Sequence, residues 1–218
     1  EVMQAFRRLL DKHENCQLYI HSLVTPEMGG LDLLSLARTY GIIDHCRFTL
    51  REHIWAGLCR EDMARMYNSF DVFLNPCHRA GFEVPLIEAQ ACGVPIIAGD
   101  WHSMTELCGS GWLIKSGSRM ATPLEGFIHI PSIDSTTECL LAAYDNWGNP
   151  ESAIKAREFA LDYDWKKILN NYWGPVITKL SEELSEKTRD PMPSQSTKMM
   201  LDASRFEGQV KEAVDGGL

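Results

Sequence analysis

Apolar residues recur at helical spacing from the start of the chain. Val2, Met3, Phe6, Leu9 and Leu10 predict a helix over residues 2–12 with one apolar face. A short buried strand is predicted at 17–21, then a helix at 31–40 that ends on Gly41, a left-handed cap, and a strand at 46–50. Met63, Met66, Tyr67 and Phe70 give a helical stripe over 61–69, with a strand at 71–74 after it. Residues 85–92 read as a helix with Pro85 in its first turn and Gly93 past its end. Strands at 96–98 and 112–114 complete the alternation, which predicts an α/β fold: a mostly parallel sheet covered by helices on both faces. After about residue 133 the pattern is helical alone, over 134–146, 150–161 and 164–186. These helices are expected to pack over the sheet or reach to a partner domain, with Trp165, Tyr172 and Trp173 as packing aromatics. Residues 187–204 are polar and carry two prolines, so one folded domain over 1–186 is expected, followed by a linker or disordered tail over 187–218 with a weak helix at 205–214.

Composition narrows the class of function. A chain of 218 residues that is 44% hydrophobic can bury one good core. Its net charge of -9 supplies no electrostatic footprint for nucleic acid or an anionic membrane. The cysteines at 16, 46, 59, 77, 92, 108 and 139 are odd in number and form no C-x-x-C pair, so they are expected to be reduced thiols, mostly buried. No run approaches the ~18 apolar residues of a membrane span and no signal peptide opens the chain, which makes the cytoplasm the expected setting. Glu1 already lies inside the first helix, so the chain is expected to begin partway through a larger product.

Chemistry concentrates in residues 75–100, N-P-C-H-R-A-G-F-E-V-P-L-I-E-A-Q-A-C-G-V-P-I-I-A-G-D. This stretch leaves a strand and enters a helix, so the backbone amides of Gly81, Phe82, Glu83 and Val84 can converge beside a helix N-terminus, a place that suits phosphate. Glu88 lies one turn further on, where a carboxylate can accept two hydrogen bonds from a ribose diol. From spacing alone the commoner reading is plainer: Gly81 a turn glycine, Pro85 a helix starter and Glu88 a solvated residue favoured by the helix dipole.

The same residues reverse that order. Gly81, Phe82, Pro85, Glu88, Ala89, Ala91, Cys92, Gly93 and Pro95 fall on the signature E-G-F-G-x-P-x-x-E-A-x-A-C-G-x-P-V-I of family 4 retaining glycosyltransferases of the GT-B fold, which the chain closely resembles. The resemblance extends to M-A-R-M-Y-N-S-F-D-V-F-L-N-P before the motif, S-M-T-E-L-C-G-S-G-W-L-I after it and E-F-A-L-D-Y-D-W-K-K-I-L-N-N-Y-W in the late helices. It implies the C-terminal, donor-binding Rossmann-like half of a hexosyltransferase. Glu88 would hold the donor ribose, the amides of residues 81–84 would face the sugar and diphosphate, and no metal or other cofactor would be needed. The partners implied are a nucleoside-diphosphate sugar and a saccharide, lipid or protein acceptor held by an absent N-terminal domain, through which any membrane contact would be made. The family's first glutamate is Ala80 here and the second glycine of G-F-G is Glu83, which makes Glu83 the candidate catalytic carboxylate. The resemblance also implies a sheet order of 3-2-1-4-5-6 whose first, central strand is not encoded in this chain, leaving the fragment inactive by itself.

His78 and Arg79 precede the loop, where a cation could face a diphosphate; an exposed basic pair is the equal alternative. His102, Ser103 and Thr105 follow the 96–98 strand, with Thr105 and Glu106 read as starting a short helix. Cys77 lacks a partner arrangement for a thiol nucleophile, and no His and Cys spacing suits a metal. The 22–30 loop and the strand end at Leu50 and Arg51 are weaker candidates for the nucleotide. A non-catalytic sugar-nucleotide-binding or scaffold module is the alternative function, and a dehydrogenase is disfavoured because no G-x-G-x-x-G with a downstream acid opens the chain.

Overall fold

The computed structural model describes residues 1–26, 30–123 and 126–187. The expected tail and its weak helix lie outside them. Two compact units are present, Glu1–Asp164 and Trp165–Leu218.

The first unit runs α1 (Val2–Leu10), β1 (Leu18–Ile20), α2 (Leu33–Thr39), β2 (Cys46–Phe48), α3 (Arg51–Ala56), α4 (Arg60–Tyr67), β3 (Phe73–Asn75), α5 (Val84–Ala91), β4 (Ile96–Gly99), β5 (Gly111–Ile114), β6 (Ser116–Thr122), β7 (Gly126–Pro131), α6 (Ile133–Asp145) and α7 (Pro150–Leu161). Met3, Phe6, Leu9 and Leu10, the stripe that their spacing predicts, are buried on α1, which packs against α6. Short polar residues start three helices: Asp32, Ser132 and Asn149 accept the amides of Ser35, Ser135 and Glu151 at 2.9, 3.3 and 3.0 Å.

Strands β1 and β2 pair in parallel, and β3, β4 and β5 form a second parallel sheet in that order. Among the described residues, β1 pairs only with β2 and β3 only with β4, so each has one unpaired edge. Tyr19 of β1 lies 5.6 Å, ring to ring, from Phe70 just ahead of β3, which makes the two sheets neighbours. β4 is buried along its whole length and is the centre of the core.

Two glycines shape this core. Gly93 has φ +78 after α5, and the amides of Gly93 and Val94 close the helix onto Gln90 and Ala89 carbonyls at 2.8 and 3.0 Å, a Schellman cap. Gly111 has φ +144, and a Cβ there would stand 1.8 Å from the Ile96 carbonyl oxygen, so β4 and β5 can meet only at glycine. Beside them, fully buried Gln90 donates to Leu86 and Leu107 carbonyls at 2.9 and 2.8 Å and accepts the amides of Gly109 and Ser110 at 2.9 and 3.1 Å. One side chain thereby fixes α5 to the turn that feeds β5.

Three expectations are corrected, and a stretch without an expected element proves to have one. No strand follows residue 133 among the described residues, but before it β6 and β7 form an antiparallel hairpin with Arg119 opposite His129. Six of the seven β6 residues are exposed, so no apolar alternation betrays the strand. Residues 50–51 do not end a strand, because β2 stops at Phe48 and Leu50 caps α3, a helix that buries no residue. The cysteines are all free, but only Cys46 and Cys139 are buried, and Cys59 is exposed. The late aromatics are not packed: in the second unit, helix α8 (Trp165–Ile168) passes through a wide π turn at Leu169–Trp173 into α9 (Gly174–Lys187), leaving Trp165 66%, Tyr172 64% and Trp173 55% exposed. Helical spacing marks a stripe that wants cover without saying what covers it. No helix among the described residues is long and apolar enough to cross a membrane.

Candidate functional site

Parallel pairing of Asn75 with Ala98 brings the carboxyl ends of β3 and β4 to one edge, where the loop between β3 and α5 emerges. Every carbonyl from Cys77 to Ala80 is engaged. Trp101 Nε1 donates to Cys77 at 2.9 Å, the His129 amide to His78 at 3.0 Å, Cys77 Sγ to Arg79 at 3.1 Å and Ser103 Oγ to Ala80 at 3.5 Å. Hairpin strand β7 and the short turn at His102–Thr105 therefore hold the loop from one side. The amides of Gly81, Phe82, Glu83 and Val84 have no acceptor among the described residues. Unpaired donors leading into a helix N-terminus form a concentration of positive dipole.

Gly81 has no positive φ, and a Cβ built on it would meet nothing within 4 Å. Neither backbone conformation nor packing among the described residues calls for glycine there, which weakens the turn-glycine reading. Glu83 accepts from Asn75 Nδ2 at 3.0 Å, which turns its carboxylate back toward the end of β3. Phe82 is 54% exposed and leans on Tyr163, with ring centroids 6.0 Å apart. His78 and Arg79 are both exposed, and the Arg79 guanidinium lies against Gly126 at the start of β7.

Glu88 is exposed on the outer side of α5. One oxygen accepts from the hydroxyl of buried Tyr67 at 3.0 Å, an arrangement that sequence reasoning missed because the two residues lie 21 positions apart. Burial, reinforced by the Glu88 charge and that hydrogen bond, pushes the Tyr67 hydroxyl well above its usual pKa. It remains a proton donor to Glu88. The only sequence signal was the apolar stripe of α4, in which Tyr67 reads as core.

Other candidates separate from this group. Burial raises the pKa of Cys77, and the Glu83 charge adds to it, so the thiol is poorly disposed to act as a nucleophile. Thr105 ends the short turn instead of starting a helix, and its hydroxyl donates to Asp100 at 3.3 Å. Among the described residues no group of three or more His, Cys, Asp or Glu side chains could hold a metal. A separate cleft of about 590 Å³ opens at the carboxyl end of β1, lined by His21, Ser22, Leu23, Leu31, Leu33 and Ile54 among others. Thr49 Oγ1 joins Tyr19 Oη and His21 Nδ1 there, at 2.8 and 2.9 Å. The weaker candidate loop thus lines a real depression, although Glu27, Met28 and Gly29 lie outside the described residues.

Parallel strands flanked by helices, with free amides and an acid gathered at their carboxyl edge, define a Rossmann-like domain. The chain belongs to the glycosyl transferases group 1 family, which it matches over residues 2–125. It is 33% identical over 201 residues to a D-inositol 3-phosphate glycosyltransferase from Geodermatophilus obscurus, covering 88% of this chain and 40% of that protein. A shorter match, 33% over 54 residues, covers 25% of the chain and 14% of the O-antigen chain mannosyltransferase B of Escherichia coli. Among solved structures, sucrose-phosphate synthase from Thermosynechococcus elongatus is similar with TM-score 0.60 and 17% identity over 83% of this chain and 42% of that one. The pneumococcal O-GlcNAc transferase solved with UDP and GlcNAc gives 0.57 and 16% over 82% and 32%. These structures share the fold, that of one half of a GT-B glycosyltransferase. The chain spans 40% or less of the length of the curated relatives it matches.

Proposed function

We propose that this chain is the donor-binding domain of a transferase that moves a hexose from a nucleoside-diphosphate sugar to a saccharide, lipid or protein acceptor, with retention of anomeric configuration. The observation that carries the reading is the set of free amides at residues 81–84, one helical turn before an exposed Glu88 whose carboxylate is oriented by Tyr67. The amides receive the diphosphate and the edge of the sugar, where fixed dipoles are worth most once water is excluded. Glu88 accepts the two hydroxyls of the ribose through the oxygen that Tyr67 leaves free. Gly81 lets the donor approach the backbone. Glu83 supplies the carboxylate nearest the sugar in place of the one absent at Ala80, and His78 and Arg79 offer positive charge at the loop entrance. The leaving diphosphate takes the acceptor proton, so the protein's part is positioning and charge stabilisation, without a metal.

The acceptor-binding half lies outside this chain, in keeping with the share of its relatives that it spans. So does a strand that fits between the unpaired edges of β1 and β3 and completes one continuous sheet. A cytoplasmic setting fits the seven free thiols. The test is a transfer assay with UDP, GDP and ADP sugars in excess EDTA, reading product configuration by NMR. The parent protein is expected to transfer one of them with retention, and residues 1–218 alone to transfer none. Inversion, dependence on a divalent metal, or efficient transfer by the 218-residue chain would each contradict the reading.

A further inference from the structure

The hairpin and the His102–Thr105 turn that hold the loop carry an arginine and two histidines for which the transfer reading has no use. Arg119 and His129 are register partners across the hairpin, and the Arg119 guanidinium lies 5.3 Å over the Phe127 ring. His129 stacks on buried Trp101 at 5.3 Å with ring planes 7° apart, and meets His102 edge-on at 5.1 Å. The Arg79 guanidinium lies apart from this group, against Gly126 at the start of β7. Among the described residues neither Arg79 nor Arg119 has an acidic partner. The nearby acids are turned elsewhere, Asp100 toward Thr105 and Glu83 toward Asn75.

Two further features mark the same spot. Among the described residues His129 Nδ1 is buried without a hydrogen-bond partner, and an unmet buried polar atom is costly. His102 is the only non-glycine residue with positive φ among the described residues, at 55°, and such backbone strain gathers where ligands are held. In a chain of net charge -9, solubility gives no reason to collect guanidinium and imidazole groups at one edge. Their forked and planar donors match carboxylate or phosphate.

We propose that His102, Arg119 and His129 form a subsite for an anionic group, carboxylate or phosphate, carried by a sugar bound beside the donor loop. The inference rests on the glycosyltransferase reading for the sugar, and on the cation group alone for the anion. Burial, then the charges of His102 and Arg119, hold the His129 imidazole below its ordinary pKa, and a bound anion would offset the two charges. The group can come from the donor, as a uronate, or from the acceptor, as a sugar phosphate.

Calorimetry on the parent protein separates the two. UDP-glucuronate is compared with UDP-glucose, and glucose 6-phosphate with glucose, in wild type and in Arg119→Gln, an exposed position whose change spares the fold. One anionic ligand is expected to bind about tenfold tighter than its neutral counterpart, the usual size of a charge-assisted contact. Arg119→Gln is expected to abolish that preference and leave UDP affinity unchanged. A uronate preference places the anion on the donor, and a preference for glucose 6-phosphate places it on the acceptor. Equal binding of anionic and neutral partners in both arms, or a preference that survives Arg119→Gln, overturns the subsite. Inorganic phosphate binding as tightly as glucose 6-phosphate marks an adventitious ion only and overturns it too. If UDP itself fails to bind, the donor reading falls, and the glucose 6-phosphate arm still decides the subsite.

Discussion

Glu88 acts in the proposed site through a geometry that it does not set alone. Its carboxylate stands on an exposed helix side, where an unrestrained glutamate would sample several rotamers, and the Tyr67 hydroxyl selects one. Tyr67 in turn is fixed by edge-on contacts with Phe73 at 5.5 Å and Phe70 at 6.3 Å. Tyr67→Phe keeps the packing and removes the hydroxyl. It is expected to weaken nucleotide-sugar binding by about 0.5–1.5 kcal/mol, the net worth of one hydrogen bond, with little effect on stability. Calorimetry and thermal unfolding on the same preparation check both halves. Cys108 allows a prediction about pH. Burial, with a smaller contribution from Cys139, pushes its thiol up to about 11, so between the ordinary thiol value and about 11 the folded chain keeps a proton that the unfolded chain releases. Stability from this group is complete below the ordinary value and is lost as pH rises through that window. Urea unfolding across pH 8–11 is expected to fall less steeply in Cys108→Ala than in wild type. Equal slopes would contradict the assigned shift.

At the scale of elements, Gln90 is the polar residue on which the central packing depends. Its amide satisfies two buried carbonyls and the amides of Gly109 and Ser110, joining α5 to the turn before β5. Gln90→Leu fits the volume and strands those groups, so a loss of about 2–4 kcal/mol is expected in urea denaturation. The helices and central strands were legible because burial imposes a period. Residues 96–98 form a continuous apolar run because β4 is covered on every side, and Gly93 marks the end of α5 because the cap needs a left-handed residue. Elements that bury little left no such mark. α3 has no buried residue and β6 is almost wholly exposed, so S-G-S-R-M-A-T reads as loop even though it pairs with β7 along nearly its full length. The candidate site was legible in one dimension only. The motif located the 81–84 amides and Glu88, whereas Tyr67, Trp101, His102 and His129 enter through contacts 21 to 51 residues apart in sequence, which no spacing rule reports.

For the whole molecule, the first unit holds two short parallel sheets, each with an open edge. Among the described residues, the unpaired edges on β1 and β3 and the exposed apolar residues of α8 and α9 are surfaces of the kind proteins ordinarily cover. Family membership favours the proposed transferase over a scaffold that binds sugar nucleotides without turning them over. The carboxyl edge of the β3–β4–β5 sheet then divides into two chemistries. In the proposals above, the free amides and Glu88 serve the nucleotide diphosphate, and Arg119, His102 and His129 serve an anionic group. Both depend on the loop between β3 and α5, held from behind by β7, so the hairpin that the sequence concealed is the support of the site. The most direct measurement is calorimetric titration of the parent protein and its Glu88→Ala variant with the UDP, GDP and ADP sugars. The proposal predicts that one sugar nucleotide binds the parent, and that the variant folds normally but binds it more weakly by about 1.5–3 kcal/mol, the loss expected for hydrogen bonds to a carboxylate. Equal affinity in both proteins would remove Glu88 from the site and contradict the account.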